Sequence, residues 1–431
     1  MTQKHNPRFE TLSVQAGHTP DPTTFSRAVP VYRTSSFTFK SAEHAANLFA
    51  LKEFGNIYSR LGNPTNDILE SRVTQLEGGA ASVSVASGTA AIFNTVITIA
   101  KAGDEIVSAS NLYGGTYTMF DSILPDFGIT TKFVDVTDPG AFEKAITPAT
   151  RLLYVETIGN PVLDLADIEA ISKAAKNHKL PLVVDATFTT PWLLKTIELG
   201  ADIVINSLTK WLGGHGTAIG GIVTDAGTFD WSDTKFELFN RPDPAYHGLR
   251  WAIDLPPGLR NIAFALRFRT GPLRNLGACL SPDNAWLFLQ GIETLHLRMP
   301  RHVDNALAVA QYLKRHPKVA WVRYPGLEGD PSYALAENVL RKGAGGMVVF
   351  GVKGGRPAGQ KFIESLKLFS HVANVGDVKS LAIHPASTTH SQLSDEQQRA
   401  GGVTPDLVRL SIGIENIDDI LADIELGLGE I

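Results

Sequence analysis

An alternation of short apolar runs and helical stretches between residues 63 and 270 constrains the fold most. Apolar runs typical of buried strands lie at Glu105–Ala109, Lys132–Val136, Leu152–Glu156, Leu182–Asp185, Asp202–Ile205 and Ile219–Val223. Helical stretches lie between them, at Thr89–Lys101, Thr116–Leu124, Asp167–His178 and Trp192–Leu199. Such an alternation predicts an α/β fold with a mostly parallel central sheet and helices on both faces. Ligands of these sheets bind outside the carboxyl ends of the strands.

The chain divides into three predicted segments. Residues 1–62 contain several prolines and look irregular, so we expect an N-terminal arm that contacts a neighbouring subunit. Residues 63–271 form the predicted α/β domain and end in a proline-rich excursion at Phe229–Gly271. Residues 272–431 predict a smaller α+β domain. Its helical stretches are Asp283–His316, Asp330–Arg341, Ala358–Leu366 and Asn416–Leu426, and its strands are Val319–Tyr324, Gly346–Gly351 and Leu407–Ile412.

Composition excludes several classes of protein. Hydrophobic residues make up 43% of the 431 residues, which is too much for a disordered chain. A net charge of −5 without a basic stripe argues against nucleic acid or an anionic membrane as a partner. The N-terminus lacks an apolar signal core, so we expect a soluble cytoplasmic protein.

The sequence does not predict a metal site. Cys279 is the single cysteine, which excludes an intrachain disulfide and a cysteine metal cluster. His384 and His390 are six residues apart with a proline between them, so they do not share one face of a helix.

Two charged residues follow apolar strands in a way that indicates a site. Asp185 ends an apolar run, where a carboxylate is costly unless a cation faces it; a helix cap or a turn is the alternative. Lys210 follows another apolar run by a few residues. Desolvation disfavours the charge of a lysine and makes its amine a nucleophile for Schiff-base formation, whereas a solvated lysine would carry no such role. Both residues are expected to open on the same crevice.

Hydroxyl groups and an aromatic ring accompany these charged residues. Ser207 and Thr209 flank the lysine, and Ser87-Gly88-Thr89 opens a predicted helix. Helix N-termini favour anions, so these groups suit a phosphate, although Ser87 could simply be an N-cap. Tyr113 follows a strand and could stack on a planar ring or pack in the core. Pyridoxal phosphate needs four such groups: a lysine, a buried carboxylate, a phosphate-binding site and an aromatic ring that can stack on it. The predicted site offers all four.

The motifs that contain these residues resemble the Cys/Met-metabolism family of pyridoxal-phosphate enzymes. They are IYSRLGNPT, SVASGTAAIFN, NLYGGTY, VETIGNP, VVDATFTTP, NSLTKWLGGHGT and SLAIHPASTTHSQL, which run through nearly the whole chain. The resemblance implies the fold type I of pyridoxal-phosphate-dependent transferases, with pyridoxal 5′-phosphate as the cofactor.

The same resemblance implies roles residue by residue. Lys210 would be the catalytic Schiff-base lysine and proton shuttle, Asp185 would face the pyridine nitrogen, and Tyr113 would stack on the ring and assist as a second acid/base. The phosphate would be held by Ser87, Gly88, Thr89, Ser207 and Thr209, and by Tyr58 and Arg60 of a neighbouring subunit in a homo-oligomer, a tetramer of paired dimers. Asn160 would touch the ring hydroxyl, and the substrate would be bound by Arg409, Ser380 and Asn160.

Within the family, the run SLTKWLGGHGTAIGG and the PDPAYHG excursion look like those of O-acetylhomoserine sulfhydrylases. We therefore expect replacement of the acetyl ester of O-acetyl-L-homoserine by sulfide, or a small thiol, giving homocysteine for methionine biosynthesis. Use of O-succinylhomoserine, cystathionine γ-synthesis and cystathionine γ-lysis remain alternatives. A non-catalytic α/β ligand-binding protein is the alternative from another class.

Overall fold

The fold is described by a computed structural model, which describes residues 7–389, 391, 398 and 402–431. His390 of the histidine pair discussed above lies outside the described residues. None of the helices in these described ranges is both long and apolar enough to cross a membrane.

In the part of the chain that the structure describes, two β-sheets form the framework. The strands are β1 (Ala81–Val85), β2 (Glu105–Ala109), β3 (Thr130–Val134), β4 (Thr150–Glu156), β5 (Leu182–Asp185), β6 (Ile203–Ser207), β7 (Gly221–Asp225), β8 (Val319–Arg323), β9 (Met347–Val352), β10 (Ser370–His371), β11 (Leu381–Ile383) and β12 (Leu407–Ser411). The larger sheet has seven strands in the order β1-β7-β6-β5-β4-β2-β3, and the smaller has five in the order β10-β11-β12-β9-β8.

Helices cover and connect these sheets. The α-helices are α1 (Phe9–Gln15), α2 (Ala42–Phe49), α3 (Pro64–Glu77), α4 (Gly88–Ile99), α5 (Gly114–Thr118), α6 (Pro139–Ala145), α7 (Ile168–Asn177), α8 (Thr190–Leu193), α9 (Glu237–Asn240), α10 (Pro257–Arg260), α11 (Ala263–Phe268), α12 (Arg274–Leu276), α13 (Pro282–Glu293), α14 (Leu295–Arg315), α15 (Tyr333–Val339), α16 (Gly355–Ser365) and α17 (Ile417–Gly429). Local sequence sets their ends. In α3, for example, the Asn63 side chain accepts a hydrogen bond from the Thr65 N–H, and Gly78 ends the helix at a positive φ of 80°.

The central sheet is mostly parallel, as the alternating pattern predicts. Strands β2 to β6 pair in parallel, whereas β7 runs antiparallel to both β1 and β6. No crossover helix is needed between β6 and β7 because an antiparallel neighbour can be reached by a loop. That loop carries Lys210 and begins at the carboxyl end of β6. The mostly parallel α/β fold with a separate smaller sheet is therefore confirmed, while the domain boundaries at residues 62 and 271 stay predictions.

Several predicted segments differ in the structure. The arm at residues 1–62 is not wholly irregular, because it contains α1 and α2. The predicted helix at Trp192–Leu199 is broken after α8, where Leu194 adopts an extended conformation. The predicted helix at Asp283–His316 is two helices, α13 and α14, separated at Thr294. Each break depends on backbone angles at one residue, which apolar periodicity does not encode.

The excursion at Phe229–Gly271 is part of the core rather than a loose loop. Its aromatic rings pack on one another: the Trp231 ring stacks on Phe239 with centroids 4.2 Å apart, and Phe236 meets Trp231 edge-on at 5.2 Å. Both phenylalanines are fully buried. Large rings can fill a core from short helices and turns without a regular apolar period, so apolar periodicity does not reveal this part of the core.

Candidate active site

The carboxyl ends of β4, β5 and β6 face a cavity of about 270 Å³. Its remaining wall includes Ala373, Asn374 and Val375, which precede the strand β11 of the smaller sheet. Ten residues proposed from the sequence line this cavity: Ser87, Gly88, Thr89, Tyr113, Asn160, Asp185, Ser207, Thr209, Lys210 and Arg409. The topology thus brings together side chains that lie up to 322 positions apart in the sequence.

One corner of the cavity is built to hold an anion. Ser87 caps α4, and its Oγ accepts a hydrogen bond from the Ala90 N–H at 3.0 Å. The first N–H groups of a helix lack intrahelical acceptors and carry the positive end of the helix dipole. A Cβ placed on Gly88 would lie 2.8 Å from the Cβ of Ser207, so glycine is required for this close approach. The hydroxyl of Thr209 lies on the same cavity and accepts a hydrogen bond from the Gly220 N–H at 3.1 Å.

Lys210 supplies an amine in the middle of the cavity. Its backbone N–H donates to the Ser207 carbonyl at 3.2 Å, in the turn that follows β6. Its Nζ donates a hydrogen bond to Oδ1 of Asn374. Burial, together with the positive charge of Arg409, lowers the pKa of Lys210 to about 8. About a tenth of this amine is therefore neutral, and so nucleophilic, at pH 7, far more than for a lysine with the ordinary pKa of about 10.4.

Asp185 brings a carboxylate to the same cavity from the end of β5. Its Oδ1 accepts a hydrogen bond from the Thr187 N–H at 2.9 Å. Burial raises the pKa of Asp185, while the hydrogen bonds from Thr187 act in the opposite direction. A cation placed beside this carboxylate, such as a protonated ring nitrogen, would compensate for its burial.

Tyr113 places an aromatic ring at the mouth of the cavity. It is 54% exposed, so its ring is not packed in the core. Its backbone N–H donates to Oε1 of Glu156 at 2.7 Å, and its carbonyl accepts from the Thr116 N–H at 2.8 Å. An exposed ring on a fixed backbone can stack on a planar ligand, which core packing would prevent.

Arg409 extends into the cavity from β12 of the smaller sheet. Its Nη1 donates to Oδ1 of Asn160 at 3.0 Å. Burial lowers the pKa of Arg409 to about 10, so it stays a cation at neutral pH. A half-buried guanidinium with free donors is suited to a carboxylate.

Three predicted site residues lie elsewhere in this chain. The Arg60 guanidinium packs over the Tyr58 ring at 4.9 Å and its Nε donates to the Arg274 carbonyl at 2.8 Å, and neither residue lines the cavity. Ser380 is fully buried away from the cavity, where its Oγ donates to Oε2 of Glu415 at 2.9 Å and accepts from the Gly413 N–H. Its assignment to substrate binding stays a prediction without geometric support.

The structure also adds residues to the site. Glu156 belongs to the VETIGNP motif and directly faces Asp185 across the strand pair, a neighbour relation that two apolar runs cannot reveal. Asn374 lies 164 residues after its partner Lys210, in a segment without a motif of its own. Thr187 could have been found, because it follows Asp185 by two residues.

These groups fit pyridoxal phosphate chemically. The anion corner at Gly88 and Ser207 matches a phosphate, Lys210 matches an aldehyde, and Asp185 matches a ring nitrogen that carries a proton. The absence of a side chain at Gly88 lets the N-terminus of α4 approach Ser207 closely, which brings the first N–H groups of the helix and the Ser207 hydroxyl to one corner.

Comparisons with known proteins agree with this chemistry. Residues 10–429 match the family described as Cys/Met metabolism PLP-dependent enzyme. The O-acetyl-L-homoserine sulfhydrylase of Leptospira meyeri is 54% identical, with 98% of this chain and 97% of the relative covered. The homocysteine synthase of Schizosaccharomyces pombe is 50% identical, with 96% of each chain covered.

Solved structures of two enzymes are also similar to this chain. An O-acetylhomoserine (thiol)-lyase of Campylobacter jejuni, which contains N′-pyridoxyl-lysine-5′-monophosphate, has a TM-score of 0.94 and 40% identity, with 98% of this chain and 100% of that chain covered. A cystathionine γ-lyase of Lactobacillus plantarum has a TM-score of 0.84 and 35% identity, with 99% of both chains covered. The chain therefore belongs to the Cys/Met metabolism family of PLP-dependent enzymes, and pyridoxal phosphate is its cofactor.

Proposed function

We propose that this enzyme replaces the acetyl ester of O-acetyl-L-homoserine with sulfide, giving L-homocysteine and acetate. The observation that supports this proposal most strongly is the sequence identity of 54% to a relative named O-acetyl-L-homoserine sulfhydrylase, over nearly the full length of both chains. Homocysteine is a precursor of methionine, so the reaction class is amino-acid biosynthesis. A small thiol in place of sulfide would form a thioether by the same route.

Nine of the ten lining residues are assigned to the cofactor, and Arg409 is assigned to the substrate. Ser87, Gly88, Thr89, Ser207 and Thr209 would hold the phosphate at the anion corner, as their placement around the start of α4 supports. Asp185 would hold the ring nitrogen, Tyr113 would cover the ring face, and Asn160 would donate to the ring hydroxyl. Pyridoxal phosphate supplies an aldehyde that binds amines and a protonated ring that withdraws electrons from the adjacent carbon.

Lys210 moves the protons of the reaction in this proposal. Its Nζ in the neutral form accepts the proton from Cα of the substrate, which the pKa of about 8 permits near neutral pH. Asn374 accepts a hydrogen bond from Nζ and so orients the amine towards the cavity. The phenol of Tyr113 lies on the same cavity and is available as a second acid/base.

Arg409 binds the α-carboxylate of the substrate in this proposal. Its planar guanidinium can form two parallel hydrogen bonds to a carboxylate, and Asn160 fixes its orientation through Nη1. The amino-acid end of the substrate would then lie in the same cavity as Lys210, because both side chains line that cavity.

The charges of the cavity favour the acetyl ester over the succinyl ester. Among the described residues that line it, the cations are Lys210 and Arg409. With the lysine committed to proton transfer and the arginine to the α-carboxylate, no cation of this lining is left for the distal carboxylate of a succinyl group. A neutral acetyl group needs no such partner.

Cystathionine γ-lysis is the second candidate. It is supported by the TM-score of 0.84 to a cystathionine γ-lyase, at the lower identity of 35%. Both reactions would use the same cofactor-binding residues and differ in what occupies the outer part of the cavity. Higher identity to the sulfhydrylases favours the first candidate.

We also propose a cytoplasmic homo-oligomer, a tetramer of dimers with shared sites. Tyr58 and Arg60 lie outside the cavity of their own chain, which leaves them available to a neighbouring one. Tyr58 is 39% exposed, as such a role requires.

The function is tested by a substrate panel. O-Acetylhomoserine, O-succinylhomoserine and O-acetylserine would each be offered with sulfide and then with cysteine, and cystathionine would be offered alone. We expect homocysteine from O-acetylhomoserine and sulfide at a kcat/KM at least tenfold above that of any other pair. Faster turnover of cystathionine, or of the succinyl ester, would replace the proposed reaction by the corresponding alternative.

A further inference from the structure

Glu156 lines the cavity, but the reaction proposed for the cavity does not use it. It ends β4 and is the direct neighbour of Asp185, which ends β5. Glu156 as a whole residue is 7% exposed. Two carboxyl groups thus stand side by side at the buried carboxyl edge of the sheet.

The two carboxyl groups cannot both be ionised without strong repulsion. Asp185 accepts a hydrogen bond from the Thr187 N–H at 2.9 Å, and the hydroxyl of Tyr154 lies 3.5 Å from its other oxygen. These donors favour the ionised form of Asp185. Burial, and then the charge of Asp185, raises the pKa of Glu156 well above its ordinary value. The negative charge of the pair therefore stays on Asp185.

The hydrogen bond made by Glu156 fixes a second part of the site. Its Oε1 accepts from the backbone N–H of Tyr113 at 2.7 Å. Tyr113 stands at the start of the five-residue helix α5; it is 54% exposed, and its ring lies against Gly115. The position of this ring depends on how the Tyr113 backbone is held, and the hydrogen bond to Glu156 is one of the contacts that hold it.

We propose that Glu156 is a positioning residue, a neutral acceptor that holds Tyr113 at the cavity mouth and leaves the negative charge at this edge on Asp185. The inference rests on the proposed function, in which Tyr113 covers the cofactor ring and Asp185 binds its nitrogen. Glu156 needs only a hydrogen-bond acceptor oxygen for this role, and an ionised carboxylate is not required.

Three variants test this inference through the dissociation constant of pyridoxal phosphate from the apo-protein, measured by absorbance titration. Glu156→Gln keeps a neutral acceptor at the same reach, and we expect a dissociation constant within about twofold of wild type. Glu156→Ala removes the acceptor, and we expect an increase of about fivefold or more. Glu156→Asp stays acidic but is one methylene shorter, so we expect it to resemble the alanine variant.

The kcat/KM for O-acetylhomoserine with sulfide provides a second readout. We expect the Glu156→Gln variant to keep a higher kcat/KM than the Glu156→Asp variant. Glu105→Gln is the matched control, because Glu105 is a buried carboxyl at the opposite edge of the same sheet and does not line the cavity. We expect it to leave the dissociation constant unchanged. Far-ultraviolet circular dichroism verifies that each variant is folded.

Two results would overturn the inference: an aspartate variant that equals or exceeds the glutamine variant, or an alanine variant that binds as tightly as wild type. If the alanine variant does not fold, the glutamine and aspartate pair decides. Failure of the wild-type protein to bind pyridoxal phosphate would instead refute the proposed function.

Discussion

At the scale of single residues, burial gives Lys210 its reactivity. The side chain has a pKa lowered to about 8 because burial and the charge of Arg409 both disfavour the ammonium form. An exposed lysine has a pKa of about 10.4 and is almost fully protonated at neutral pH. The cavity therefore makes this amine available for chemistry that an ordinary surface lysine performs poorly.

This shift predicts how fast the apo-protein takes up its cofactor. Because only the neutral amine attacks an aldehyde, the rate rises with pH and levels off above about 8. Stopped-flow absorbance after mixing apo-protein with pyridoxal phosphate measures that rate. Nα-acetyl-lysine is the control for titration of the cofactor itself, and its rate should keep rising to about pH 10. A protein profile that follows the control would show that Lys210 is not shifted.

Arg409 offers a second residue-level prediction. Arg409→Lys keeps the charge but loses the planar pair of donors, so we expect kcat/KM for O-acetylhomoserine to fall by about tenfold to one hundredfold. Most of the loss should appear in KM, since the contact is made in the bound substrate as well. Arg301→Lys, at an exposed position of α14, is the control and should behave as wild type. An unchanged KM would remove Arg409 from carboxylate binding.

Sequence reasoning predicted the site residues that belong to local motifs and missed those that depend on the fold. Asp185 and Lys210 could be found because each follows an apolar strand. Asn374 could not, since only the folded chain brings it to Lys210. Ser380 also belongs to a motif, but its Oγ donates to Oε2 of Glu415, and its role in substrate binding stays a prediction.

At the scale of elements, the N-terminus of α4 is capped by a residue that also belongs to the proposed phosphate site. Ser87 caps the helix through the Ala90 N–H, and the same residue lines the cavity. Gly88 brings this helix end against Ser207 of β6, so the helix and the strand together make the anion corner. In the proposed site, a single turn of backbone would therefore affect both stability and cofactor affinity.

Removing this cap predicts two separate effects. Ser87→Ala should cost about 1 kcal/mol, which for a chain of this size lowers the melting temperature of the apo-protein by about 1 °C. It should also weaken binding of pyridoxal phosphate, as read by titration. Asp167→Ala is the matched control, because Asp167 caps α7 through the Ala170 N–H and does not line the cavity. That variant should lose the same stability and keep full affinity; equal affinity losses in both would contradict the anion corner.

The predicted strands all have counterparts in the structure, although β1, β10 and β11 have no counterpart among the predictions. Buried strands are continuous apolar runs, so β2 and β5 begin and end where the sequence predicts. The helix predicted at Thr116–Leu124 instead becomes α5 followed by segments of different winding, because such changes depend on local hydrogen bonding. The apolar residues of Phe229–Gly271 do not recur with the period of a helix or a strand, so the sequence pattern does not indicate that their aromatic rings form part of the core.

At the scale of the whole molecule, Tyr58 and Arg60 of the N-terminal arm do not line the cavity of their own chain, although both are proposed to hold the phosphate. Tyr58 and Arg60 contact each other and the Arg274 carbonyl, away from their own cavity. If they complete the site of a neighbour, activity depends on assembly.

Mixing inactive variants tests this arrangement. Arg60→Ala and Lys210→Ala should each be nearly inactive, yet a heterodimer would contain one site with both native residues. Equal mixing with full subunit exchange should therefore restore about a quarter of the wild-type activity. Exchange is verified by native mass spectrometry of differently tagged subunits, and no restored activity despite exchange would refute shared sites.

The central claim is that Lys210 is the lysine that binds the cofactor. The direct measurement is borohydride reduction of the protein loaded with pyridoxal phosphate, followed by peptide mass spectrometry. We predict one pyridoxyl group per chain on the peptide that contains Lys210, and none after loading of Lys210→Ala. A label on another lysine, or a label that survives that substitution at full level, would contradict the account.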